Sequence, residues 1–182
     1  MKIKRIKSAY HYFFLMLMFF LPVEALSYDA IFNVTGRVQA GTCSLNSSRV
    51  QNVNLGDHLI NSTFGLKNGS TTKPTEWSLV FDCAENAGIS VTLSGSSSYR
   101  DTILRLSGRD AATGLGIQTR YRTSTNPVSS YIMMFDSSIS VRSNQERGGP
   151  FTVYFASYYK QTADVVTPGP ANGDLSLDIY YN

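Results

Sequence analysis

Apolar and polar residues alternate most strictly at the end of the chain, in GPANGDLSLDIYYN. Leu175, Leu177, Ile179 and Tyr181 fall in one row, and Asp174, Ser176, Asp178, Tyr180 and Asn182 in the other. Period-2 alternation predicts a strand with one buried face. A second alternating stretch lies near the start, in YDAIFNVTGRV. Tyr28, Ala30, Phe32, Val34 and Val38 share one phase, with Gly36 in the same row and only Ile31 out of place. A glycine inside a strand has nothing to pack. Gly36 therefore reads as a divider between an N-terminal extension, residues 28–35, and a domain over 36–182.

Between these ends the pattern predicts many short strands. GTCSL at 41–45 leads through a polar turn to Val50–Gly56, and residues 61–74 have loop composition. Trp77, Leu79, Phe81 and Cys83 are in phase within WSLVFDC, and Ile89–Leu93 follows an Asn-Ala-Gly turn. Further candidates are Ile103–Leu106, Leu115–Tyr121, Tyr131–Phe135, Ile139–Arg142 and Phe151–Tyr159. Short strands separated by turn signals, with no helical period beyond the leader, predict an all-β sandwich. No repeat or linker divides it.

The first 27 residues change the charge balance. Lys2, Lys4, Arg5 and Lys7 precede a short apolar run, Tyr12–Leu21, closed by Pro22. That is a secretory leader, with cleavage expected after Ala25 or Ser27; the run falls short of the roughly 20 residues needed to span a membrane. The leader takes four of the 16 basic residues and one of the 13 acidic ones, which leaves twelve of each. A neutral mature chain gives no electrostatic case for nucleic acid. About 155 residues remain, enough for one domain with its own core. Cys43 and Cys83 both lie in the exported part, where they are expected to pair.

Candidate chemistry is sparse. His58 is the one histidine outside the leader, and Asp57 beside it would point the other way in a strand, so no triad is expected. One histidine and two committed cysteines offer no metal set. Thr113-Gly-Leu-Gly-Ile holds a GxG without the helix that a phosphate site needs, and reads as tight turning or close packing. Neither an enzyme nor a cofactor is expected. Residues 100–147 hold seven of those twelve basic residues, all arginine, beside Tyr99, Tyr121 and Tyr131. Asp101, Asp110, Asp136 and Glu146 are interspersed, so this reads as a solvated face before a dedicated site. Four Asn-x-Ser/Thr triplets, at Asn33, Asn46, Asn61 and Asn68, match what loops of this composition produce.

Taken in order, these features resemble the pilins of bacterial chaperone–usher fimbriae, the type 1 fimbria-like family, over essentially the whole chain after the leader. The residues that carry the likeness are Gly36 seven positions before the first cysteine in GRVQAGTCSL, the second cysteine closing WSLVFDC, TGLGIQ at 113–118, and FTVYFASYY followed by TPGPANGDLSLDIYYN. The last of these has Gly169 fourteenth from the end and a penultimate tyrosine, Tyr181. Pro170 and Gly173 stand where the family often has alanine, so the last strand is expected to begin a residue or two late.

The resemblance implies an incomplete immunoglobulin-like β-sandwich that lacks its last strand. A periplasmic pilus chaperone, and then the extension of a neighbouring subunit at the outer-membrane usher, would supply that strand. Donor residues would be Tyr28, Ala30, Phe32 and Val34. The acceptor groove would comprise Gly169, Leu175, Leu177, Ile179 and Tyr181. Basic residues of the chaperone would grip the terminal carboxylate of Asn182. The implied protein is a structural subunit exported through the periplasm to the cell surface. Arginine and aromatic content beyond that of abundant shaft pilins favours a minor or adaptor subunit contributing to adhesion. Two readings stand against this one: a single-domain adhesin binding a host glycan or receptor directly, and a free-standing immunoglobulin-like domain.

Overall fold

The computed structural model describes residues 42–64, 67–99 and 101–182, all within the unit Gln39–Asn182. The leader, the extension over 28–35 and Gly36 lie outside the described residues. Ten strands occupy this region: β1 (Cys43–Leu45), β2 (Thr75–Cys83), β3 (Ile89–Gly95), β4 (Ser97–Tyr99), β5 (Ile103–Leu104), β6 (Leu115–Arg122), β7 (Tyr131–Ile132), β8 (Ser138–Arg142), β9 (Gly149–Gln161) and β10 (Leu175–Tyr181). A four-residue helical turn, Ile60–Thr63, and a 3-10 turn, Pro127–Ser129, are the helical elements among them.

The strands form two antiparallel sheets. One has seven strands in the order β1-β2-β9-β6-β5-β4, with β7 pairing with β6; the other is β10-β3-β8. β9, thirteen residues long, is the spine, paired along one edge with β2 and along the other with β6. Its alternation sets the sandwich. Val153 and Phe155 are fully buried with Leu79 and Phe81 of β2, against Ile89, Val91 and Leu93 of β3. The indole of Trp77 stacks on Phe155 with ring centroids 4.2 Å apart. Its N–H donates to Ser157 Oγ, so a buried polar group has its partner.

Cys43 and Cys83 face one another across β1 and β2 and are joined by a disulfide spanning 40 residues of sequence. This ties the short first strand, which has few ladder bonds of its own, to β2, its one neighbour in the sheet.

Several sequence expectations need correction. Val50–Gly56 forms no strand: Val53 and Leu55 alternate in burial with Asn52 and Asn54, but the segment makes no ladder among the described residues, and alternation alone cannot supply a partner. In Tyr131–Phe135 only the first two residues form a strand; Phe135 makes an isolated parallel bridge with Leu93, and it and Met133 turn inward as core residues. β4 went unrecognised because Ser97 and Ser98 carry no apolar signal. Expected to start late, β10 begins at Leu175, where the alternation itself begins.

Candidate strand-docking groove

β10 lies at the edge of its sheet, bonded on one side to β3. The pairing places Leu177 opposite Leu93, Ile179 opposite Val91 and Tyr181 opposite Ile89. Those three β3 residues are at most 1% exposed, whereas Leu175, Leu177 and Ile179 are half-buried and Tyr181 is 40% exposed. One strand step thus takes the same apolar row from the core to an open margin. Among the described residues no strand pairs with the other edge of β10, and β1 likewise ends its own sheet.

The two unpaired edges border one groove. A cavity of about 970 Å³ has Leu175, Leu177, Ile179 and Tyr181 along one wall, with Cys43 and Leu45 of β1 and Leu79 of β2 among its other lining residues. It runs into a second cavity of about 870 Å³ that reaches Gly169, His58 and Tyr159; the two share Val53, Leu55, Ile117 and Gly173. The trough therefore follows the length of β10 and continues past its beginning. The unpaired segment at 51–56 borders both halves.

Local chemistry explains the second half. Gly169 passes so close to the next loop that a Cβ there would come within 2.5 Å of the Asp110 carbonyl oxygen and 2.7 Å of Ala112 N. Only glycine fits without moving that backbone. Tyr159 donates its hydroxyl to the Ala171 carbonyl at 2.7 Å. Burial, and secondarily Asp57, pushes its phenol above the ordinary 10.0. His58 packs edge-on against Tyr159 and Phe64, with Nε2 2.8 Å from the Leu55 carbonyl oxygen. It is a packing residue of the groove margin, and Asp57 is not hydrogen-bonded to it. Within TGLGIQ, Gly114 has φ +77° and packs against the Val165 carbonyl, the tight turn expected of it.

All five proposed acceptor residues thus line one trough. The donor residues Tyr28, Ala30, Phe32 and Val34 lie outside the described residues. Asn182 exchanges two backbone hydrogen bonds with Gly88, extending the ladder to the last residue. Sequence reading missed the opposite wall and floor: Leu45, Leu55, Leu104 and Ile117 have the pattern of ordinary core residues, and nothing local distinguishes a groove from a core.

The arginine-rich segment is not a uniform solvated face. Arg122 is buried against Glu76 at 2.9 Å and lies over the Tyr154 ring. Arg142 is buried and donates to the Arg147 carbonyl. Arg120 donates to the side chain and carbonyl of Ser130.

A two-sheet sandwich with an open edge groove defines a class, the incomplete immunoglobulin-like domain. The model of the fimbrial protein family matches residues 32–182, and the chain belongs to that family. No curated protein matches it in sequence. Among solved structures it is similar to the CupB6 tip adhesin from Pseudomonas aeruginosa, with 18% identity and a TM-score of 0.62, over 77% of this chain and 39% of that one. It therefore spans well under half of that adhesin's length. It is also similar to the P pilus rod subunit PapA, with 15% identity and a TM-score of 0.55, over 77% of this chain and 99% of that one. At these identities the likeness carries the fold. Family membership makes the chain a subunit of surface fimbriae, of a family that is structural or adhesive rather than enzymatic.

Proposed function

We propose that this chain polymerises by strand complementation. The groove beside β10 receives the N-terminal extension of a neighbouring subunit. The chain's own Tyr28, Ala30, Phe32 and Val34 enter the groove of the next. The observation that carries this reading is the half-exposed row Leu175, Leu177, Ile179 and Tyr181: the last three pair with fully buried residues of β3, and all four line the trough. An inserted strand supplies main-chain hydrogen bonds along its length, and its alternate side chains supply specificity. It also covers an apolar edge that invites aggregation. Burial of Tyr28, Phe32 and Val34 contributes about 1.5–3 kcal/mol each before ordering costs; Ala30 adds less.

The same exposed row requires cover before assembly. A periplasmic chaperone, holding the Asn182 carboxylate with its basic residues, and an outer-membrane usher are the partners this implies, on a route through the periplasm to the surface. The domain division follows the same logic: a leader to residue 27, a donor extension over 28–35 and a pilin domain over 36–182. Within the fibre we assign a minor or adaptor position, on the aromatic and arginine content.

The deciding experiment compares the mature chain with a version carrying a copy of residues 28–38 after Asn182. The expected result is low soluble yield for the first without a chaperone and a heat-resistant soluble monomer for the second. A stable monomer from the unfused chain would show that its fold is already complete.

A further inference from the structure

A second concavity lies on the opposite face of the large sheet. Successive residues of a strand point to opposite faces, so Gln118 and Arg120 of β6 and Tyr158 and Lys160 of β9 turn away from the groove that Ile117 and Tyr159 line. With Thr71 and Ile132 they bound a shallow depression of about 390 Å³. That is toward the small end of ligand-site volumes, which run about 300–1,000 Å³.

Three features set it apart from a solvated face. Its lining includes two cations and no carboxylate, and neither Arg120 nor Lys160 forms an ion pair among the described residues. Its floor is ordered: Gln118, 2% exposed, receives the Tyr158 hydroxyl at 2.8 Å and lies 3.5 Å from Lys160 Nζ, while its amide nitrogen donates to Thr102. Arg120 is held in place by its two hydrogen bonds to Ser130. Ile132, 41% exposed, and Pro74 add apolar surface at the margin beside the hydroxyl of Thr71. Fixed positive charge, adjacent hydroxyl and amide groups and a small apolar wall suit a compact ligand that is anionic, polyhydroxylated and partly apolar.

We propose that this depression binds a sugar residue bearing a carboxylate, such as a terminal acidic sugar of a glycan. Lys160 takes the carboxylate, Thr71 and Tyr158 the hydroxyls, and Ile132 the apolar ring face, while Arg120 adds positive charge at the margin beside Ile132. The site is independent of the strand-docking groove and remains on the outside of the sandwich when that groove is filled.

The test titrates the full chain carrying the added copy of residues 28–38, the form expected to be soluble, with glucuronic acid, N-acetylneuraminic acid, glucose and acetate, followed by ligand-observed NMR. At least one acidic sugar is expected to bind with millimolar Kd, at least tenfold more tightly than glucose or acetate, and more weakly as salt is raised. Lys160→Gln should weaken that binding at least tenfold without shifting the thermal midpoint, and Lys160→Arg should retain it. Equal affinity for acidic and neutral sugars, acetate binding as well as the acidic sugars, no binding of either acid at tens of millimolar, or an unaffected Lys160→Gln protein would each overturn the proposal.

Discussion

Tyr159 joins the core to the groove, since its hydroxyl bonds to the Ala171 carbonyl while its ring packs beside His58. Its phenol is raised above 10.0 by burial, with Asp57 adding to the effect. A raised acid favours folding fully while protonated, and the contribution is lost as pH climbs from about 10 through the folded-state value. Tyr159→Phe should therefore cost about 1 kcal/mol at neutral pH, the usual net worth of one hydrogen bond. Its stability should also fall less steeply above pH 10, as read from urea midpoints across pH. Tyr121, raised by burial and by Tyr131, keeps part of the alkaline loss in that variant. Gly169→Ala should cost roughly 1–3 kcal/mol, the range for forcing extra atoms into a packed site, because the atoms it meets are backbone.

At the scale of elements, β1 and β10 matter most, one at each open edge. The disulfide holds β1 in place. Replacing Cys43 and Cys83 by alanine together should cost about 4 kcal/mol by the loop-entropy relation for a 40-residue closure, measured as a shift in denaturant midpoint. In β10 the apolar row is only half-covered, so a charge there acts on docking as well as on folding. Ile179→Asp in a chain that accepts a strand should abolish capture of a synthetic peptide of residues 28–38, measured by gel filtration. Phe32→Asp, on the proposed donor side, should leave the chaperone complex intact while blocking polymerisation; fibres of normal length from that variant would refute the donor assignment.

For the whole molecule, complementation in series gives each subunit one donor extension and one acceptor groove. A population of the terminally fused chain should therefore be monomeric at every concentration, because its own added strand occupies its groove. Unfused chain mixed with the fused form should not incorporate it at its groove end, a result that sedimentation would read directly. The acidic-sugar site, on the opposite sheet face, should bind equally in fused and unfused forms.

Local pattern made much of this legible. Period-2 alternation located β2 and β10, because a strand with one buried face must alternate whatever its neighbours are, and short apolar runs between turn signals located β3, β6, β8 and β9. Two exported cysteines gave the disulfide, and the ordered glycine, cysteine and terminal-strand motifs gave the family. Burial depth and partnership were decided elsewhere. Leu177 and Leu93 are the same residue type in the same register pair, yet one is sealed and the other opens on a groove. Val53 and Leu55 alternate as a strand would and pair with no strand among the described residues. The assignment of each segment to an edge or an interior is a property of sheet order, set by contacts between residues up to a hundred positions apart. So the sequence by itself determined which residues turn inward, and only the tertiary structure decided which of them find cover within the domain.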